Sequence, residues 1–148
     1  EAVVEAVPRA RVGVAGGSMS PPSRVREQIT WVGPSRSLHT ELARAGDAVV
    51  GGGVSLSEAC AHGTPAVGVP VVAAQRPTVA AFVKRGAARG LSRADVSAKD
   101  VAEECVSLLS EAAMQRRLSR MGRRLIDGRG AFRAAEAVRR MVAAGGSR

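Results

Sequence analysis

GDAVVGGGVSLSEACAHGTPAVGVP, residues 46–70, decides how this chain is read. A short apolar run, Asp47 to Val50, meets three glycines, Gly51, Gly52 and Gly53. A small-residue segment from Ser55 to His62 reads as a short helix, closed by Gly63 and Pro65. A second apolar run, Ala66 to Val72, follows. Strand, glycine turn, helix and strand is the repeating unit of a parallel sheet covered on both faces. The glycines fall at the carboxyl end of a strand, where open α/β folds bind ligands. Glycine permits a positive φ and a close approach of backbone to ligand. The helix N-terminus beyond it offers free N–H groups and partial positive charge, which suit a phosphate. Ser55 can cap the helix or donate its hydroxyl to the same oxygen. Glu58 is a lone carboxylate in a small apolar helix. A carboxylate accepts two hydrogen bonds side by side, which fits the adjacent hydroxyls of a ribose. The turn is neither GxGxxG nor a Walker loop, since no Lys follows the glycines. A turn that serves packing alone, with a solvated Glu58, is the competing reading.

The same alternation extends outward. Arg11–Ala15 is a strand ending in Gly16-Gly17-Ser18, and residues 19–27, with Pro21-Pro22, form a loop. Gln28–Val32 is a second strand, stopped by Gly33-Pro34. Ser37 is placed to cap a helix over Leu38–Ala45, with Gly46 as its C′ residue. After the fourth strand comes a helix over Pro77–Arg85, stopped at Gly86, and a weak fifth strand near Ala87–Leu91. Ser97 and Asp100 form a capping-box-like start to a helix reaching Leu109, with Val101, Cys105 and Leu108 on one stripe. A helix over Glu111–Ile126 is broken at Asp127-Gly128-Arg129-Gly130. The last helix runs to about Ala144, with Phe132, Val138 and Val142 as its apolar contacts. The fold class is α/β: a Rossmann-like parallel sheet of four to five strands, helices on both faces and a helical C-terminal tail. Residues 1–110 form the Rossmann-like domain, and residues 111–148 are helices that pack on it.

Composition limits the partners. The chain has 148 residues, about one domain. Lys plus Arg is 22 against 13 Asp plus Glu, a formal charge of +9 that suits an anionic partner. With no Tyr, one Trp and two Phe, the chain has few side chains for a stacking platform, which weighs against single-stranded nucleic acid. No apolar run approaches a membrane span, and no signal-peptide pattern opens the chain. Cys60 and Cys105 read as buried, reduced thiols of a cytoplasmic protein. The two His and two Cys have no metal-site spacing, so neither a metal nor a cofactor is expected. His39 reads as exposed on its helix. His62 ends the short helix, near enough to the glycine turn to be a lesser ligand candidate. Cys60 lacks a His or Asn to activate it as a nucleophile. Most C-terminal arginines read as a solvated surface, with peripheral contact to anionic membrane as a secondary role. Arg129 and Arg133 are better candidates for a site or interdomain role.

The stretch GDAVVGGGVSLSEACAHGTPAVGVPVVAAQ resembles the C-terminal half of two-domain, GT-B-type enzymes that use UDP-sugars. The residues that carry the likeness are Gly46-Asp47, Gly51 to Ser55, Glu58, Gly63-Thr64-Pro65 and Gln75. The superfamily includes the N-acetylglucosaminyltransferase that makes lipid II. The tail GRRLIDGRGAFRAAEAV is similar to the pseudaminic-acid-pathway UDP-sugar hydrolases and their spore-coat polysaccharide relatives, which join their last helices by Asp-Gly-x-Gly-Ala-x-Arg. The resemblance spans about Arg11 to Val142. It implies that Gly51, Gly52, Gly53, Val54 and Ser55 hold the diphosphate, that Glu58 binds the ribose diol and that Gln75 reaches the sugar. The backbone near Val32 and Gly33 would read the uracil edge. Val54 stands where the transferase branch commonly has Thr or Ser, which keeps a backbone contact and removes a hydroxyl one. The implied function is the UDP-sugar-binding half of a hydrolase in surface polysaccharide or sialic-acid-like sugar biosynthesis. A UDP-sugar glycosyltransferase and a non-catalytic UDP-sugar-binding module are the alternatives. Glu1 in place of Met, and the short spacing between Gly16 and Glu58, read as a chain that starts inside its domain. Its N-terminal partner domain, with the catalytic groups, would lie upstream.

Overall fold

A computed structural model describes residues 1–33, 38–91 and 96–145. Among these residues five strands and seven α-helices follow in the order α1 (Ala2–Ala6), β1 (Val12–Ala15), β2 (Ile29–Val32), α2 (Leu38–Arg44), β3 (Ala48–Gly51), α3 (Val54–His62), β4 (Ala66–Val69), α4 (Arg76–Lys84), β5 (Arg89–Gly90), α5 (Ala98–Ser110), α6 (Ala112–Leu125) and α7 (Gly130–Gly145). A 3-10 turn, Ala73–Gln75, leads into α4. Every strand pairing is parallel. Strand β1 pairs with β2 from Val12↔Ile29 to Ala15↔Val32. Strand β3 pairs with β4 from Ala48↔Ala66 to Gly51↔Val69, and β4 with β5 at Val67↔Arg89 and Gly68↔Gly90. The architecture is therefore α/β with parallel strands and a helical tail. The hydrogen bonds divide the strands into a pair and a triplet, where the sequence pattern reads as one sheet. Apolar runs identify strands, but they do not say which edges meet.

The core lies under α3. Leu56, Ala59 and Cys60 point inward from it and meet Leu42, Ala66, Val79, Phe82, Ala87 and Ala88. On the chain's other buried cluster, Val67 of β4 meets Leu108 of α5 and Leu118 of α6. Helix α3 ends on Gly63, whose φ of 69° is left-handed, and its amide bonds back to Cys60 O at 2.9 Å. Thr64, the one buried polar residue among those described, donates its hydroxyl to Leu42 O at 2.7 Å and so ties α2 to the start of β4. Helix α6 packs directly across α3: a Cβ at Gly122 would stand 3.1 Å from both Cys60 Cα and Cys60 O. The Arg123 guanidinium then donates to His62 O at 2.8 and 3.2 Å, satisfying a C-terminal carbonyl of α3.

Both cysteines are buried and free, and burial pushes each thiol up to about 11. Ser97 and Asp100 form the expected capping box on α5. The Arg89 guanidinium bridges Glu104 and Glu111, joining β5 to the α5–α6 junction.

Two expectations fail here, and one helix is additional to those expected. Gly46 is not left-handed; α2 stops at Arg44, and the Ala45 amide bonds to Glu41 O at 3.0 Å. Residues 2–6 form a helix whose Val4 is buried, which the sequence reading passed over because five residues are too few to show a period. Phe132, Val138 and Val142 of α7 are exposed rather than packed, and no residue of α7 is buried. The proposed cap Ser37 lies outside the described residues.

The break before α7 has its own electrostatics. Asp127 accepts two bonds from Arg133, at 2.7 and 3.0 Å, and one from the Arg129 amide at 3.0 Å. The Arg133 hydrogen bonds, ahead of the Arg129 one, hold the Asp127 carboxyl down at about 2, against an ordinary 3.8. A lowered carboxylate favours the folded form above the ordinary range and loses that advantage as pH falls through about 2. Arg133→Ala should return the Asp127 titration toward 3.8, read by carboxyl NMR. The pair is exposed and screened by solvent, so the melting change in Arg133→Ala should be small, present above the ordinary carboxylate range and absent below about pH 2.

Candidate functional site

The glycine turn sits at the carboxyl end of β3, as the sequence pattern requires. Its geometry differs from the expected one in two respects. None of Gly51, Gly52 and Gly53 has a positive φ. The reason for glycine is close approach. A Cβ at Gly52 would lie 2.5 Å from Val79 Cγ2, 3.1 Å from Gln75 Cβ and 3.2 Å from Gln75 O. Gly52 thus lets the 3-10 turn and the start of α4 lie on top of the β3–α3 corner, whereas a Cβ at Gly51 or Gly53 would find its nearest neighbour at an ordinary 3.4 Å. Second, Ser55 does not cap α3. The N-cap is Gly53, without a side-chain cap, and Ser55 lies inside the first turn. Its hydroxyl is left for other partners.

The corner is held by backbone bonds. Gly52 N donates to Val69 O at 3.1 Å, locking the turn to the end of β4, and Leu56 N donates to Gly53 O at 3.2 Å. The amides of Val54 and Ser55, the first two of the helix, have no intrahelical acceptor. Val54 itself is 75% exposed, so the mouth of the turn is open.

Gln75 completes the corner. Its Oε1 accepts from Val71 N at 2.8 Å, which fixes the amide orientation. A Cβ at Gly53 would stand 3.4 Å from Gln75 Nε2, so the Gln75 NH2 group lies on the glycine turn beside the helix N-terminus. Glu58 follows Val54 at i+4 and Ser55 at i+3, one turn down the same side of α3. It is half-buried and has no hydrogen-bond or ion-pair partner among the described residues. The Val54 and Ser55 amides, the Ser55 hydroxyl and the Gln75 NH2 group therefore lie at the N-terminal end of α3, and Glu58 follows one turn along the same side. They can offer donors to an anion and, one turn away, an acceptor pair to hydroxyls.

Val32 and Gly33 are less closely tied to this corner. Val32 is buried at the end of β2 and Gly33 is partly exposed, but no hydrogen bond among the described residues links them to the glycine turn. Arg133 is engaged by Asp127. The sequence reading missed one contact: His62 and His39 are joined, Nε2 to Nδ1, at 2.7 Å, with their rings edge to face. Nothing in the local sequence shows it, because it depends on how α2 lies against α3. Among the described residues no cluster of His, Cys, Asp and Glu could hold a metal ion.

Gly52→Ala tests the corner. The added methyl should cost about 1–3 kcal/mol by overpacking. It should also move Gln75 off the turn, so that Gly53 and Val54 amide resonances shift. A variant that melts like the parent would show that Gly52 is not there for close approach.

Neither a protein-family model nor a curated protein matches the sequence. A solved structure does. The glycosyltransferase of kitacinnamycin is 25% identical and superposes with a TM-score of 0.73 over 93% of this chain and 37% of that one. The chain has the fold of half a GT-B glycosyltransferase. It spans little more than a third of that enzyme's length. In this GT-B half the glycine corner lies at the carboxyl end of β3, and the helical tail follows the last strand as α5, α6 and α7. Among the described residues no helix is long and apolar enough to cross a membrane.

Proposed function

We propose that this chain is the donor-binding part of a glycosyltransferase that uses a UDP-sugar. The observation that carries the reading is the corner itself: unengaged helix-N-terminal donors and the Gln75 NH2 group on one side, and an unpartnered Glu58 one turn away. The Val54 and Ser55 amides, the Ser55 hydroxyl and Gln75 hold the diphosphate. Glu58 accepts from both ribose hydroxyls. The backbone at Val32 and Gly33 reads the uracil edge. When the sugar–phosphate bond breaks, negative charge grows on the departing diphosphate. Fixed donors aimed at those oxygens stabilise that charge without reorganising. This chain's residues thus bind the donor and stabilise the leaving group, and the acceptor-side groups belong to the remainder of a longer enzyme. The hydrolase reading, which rested on the tail resemblance, has no finding in its support, and the glycosyltransferase neighbour favours the transferase alternative.

Calorimetry with UDP, ADP and GDP tests the reading. UDP should bind saturably and more tightly than the purine diphosphates. Equal or better affinity for ADP would sink the uridine assignment and leave the phosphate site standing. No binding of any diphosphate would sink both.

A further inference from the structure

At the opposite, amino-terminal end of β3 and β4 lies a second polar concavity of about 420 Å³. One wall is the face of α6 that carries Gln115, Arg116, Ser119, Arg120 and Arg123. The other is formed by the turns before β3 and β4, with His62 among them. Gly46 and Gly51 bracket β3, so the two sites stand roughly 16 Å apart, five residues at about 3.3 Å each.

The groove is strongly and locally basic. Arg116, Arg120 and Arg123 follow at i, i+4 and i+7, so they share one helix face and span about 10 Å. Arg116 and Arg120 have no ion-pair partner among the described residues. Arg123 spends two N–H groups on His62 O and keeps the others. No carboxylate lines the groove. Asp47, next to Gly46 in the wall, accepts from Gln115 Nε2 at 2.9 Å and so orients Gln115. Burial pushes the Asp47 carboxyl up, and its Oδ1 is buried without a partner.

We propose that this groove is a second ligand site, for a small molecule carrying two or more phosphate or carboxylate groups. Guanidinium forks pair with such oxyanions by parallel charge-assisted bonds. Three guanidiniums along 10 Å match a polyanion better than a single charge. The depression is open to solvent and large enough to seat a small polyanion, and the lining offers no Trp, Tyr or Phe on which bases could stack. The site is independent of the glycine corner and of the function proposed for it.

Inorganic pyrophosphate, titrated into the 148-residue chain at fixed ionic strength and followed by amide NMR, tests this. Saturable shifts are expected at Gly63, Thr64, Gln115 and Ser119. The double variant Arg116→Ala/Arg120→Ala should weaken that binding about tenfold or more, since two charge-assisted pairs are lost. Responses at Gly53, Val54 and Ser55 should be unaffected by the double variant. Shifts confined to Gly53–Ser55, unchanged affinity in the double variant, or shifts reproduced by chloride at equal ionic strength would each overturn the proposal. So would tighter binding of an oligonucleotide that spreads beyond the groove along α6. Absence of any response at Gly53–Ser55 would count against the nucleotide site and not against this one.

Discussion

Leu56→Ala is expected to lower stability by about 2–5 kcal/mol, the range for a fully buried leucine cut back to alanine. Leu56 has no exposed surface. It is the residue by which α3 grips both the sheet and α4: a Cβ at Gly68 of β4 would lie 3.1 Å from Leu56 Cδ2, and Val79 and Phe82 of α4 share its cluster. For a chain of this length a loss of 1 kcal/mol lowers the melting temperature by about 2–4 °C, so a drop on the order of 10 °C should be seen. Leu56→Met keeps the volume and should cost less than about 1.5 kcal/mol. Val142→Ala on α7, where the side chain is 70% exposed, should change stability by less than about 0.5 kcal/mol. Equal melting shifts for Leu56→Ala and Val142→Ala would mean that the core has been placed wrongly. Any UDP binding lost in Leu56→Ala should return on cooling below its transition, because Leu56 faces away from the donors.

How much of this was legible in the sequence follows from the physics of each signal. The β3–α3–β4 unit was plain, because two apolar runs, a glycine corner and a Gly-x-Pro stop agree on one answer. The Ser97–Asp100 cap was plain for the same reason, since its bonds are local. Glu58 and Gln75 lie 17 positions apart in the sequence. Composition alone could not join them; the resemblance to UDP-sugar enzymes is what assigns both to one site. What stayed hidden depends on tertiary placement. The glycines at 51–53 look like residues chosen for positive φ, which none of them has, and only the positions of Val79 and Gln75 show that Gly52 serves close approach. Ser55 looks like a cap until the helix is seen to start one residue earlier, at Val54. The His39–His62 contact and the Arg123 bond to His62 O both require α2, α3 and α6 to be assembled. The exposed apolar side of α7 has the same periodicity as a packed one, because the amphipathic pattern says that a face is apolar and not that it is covered.

Glu58→Gln should weaken UDP binding by about tenfold or more. The substitution keeps the shape of the side chain and removes its charge and one acceptor. A hydrogen bond to a charged group contributes about 1.5–3 kcal/mol, and 1.4 kcal/mol is a factor of ten. Stability should hardly change, because Glu58 has no partner within the described fold whose loss would be felt. The discriminating measurement is a two-by-two cycle: parent and Glu58→Gln, each titrated with UDP and with 2′,3′-dideoxy-UDP. The cycle isolates the coupling between one carboxylate and one diol from every other contact. Parent protein is expected to lose affinity when the diol is removed, and Glu58→Gln to lose little further, giving a coupling energy of at least about 1.4 kcal/mol. A coupling energy near zero, with both proteins binding both ligands alike, would contradict it and leave the glycine corner as a packing turn.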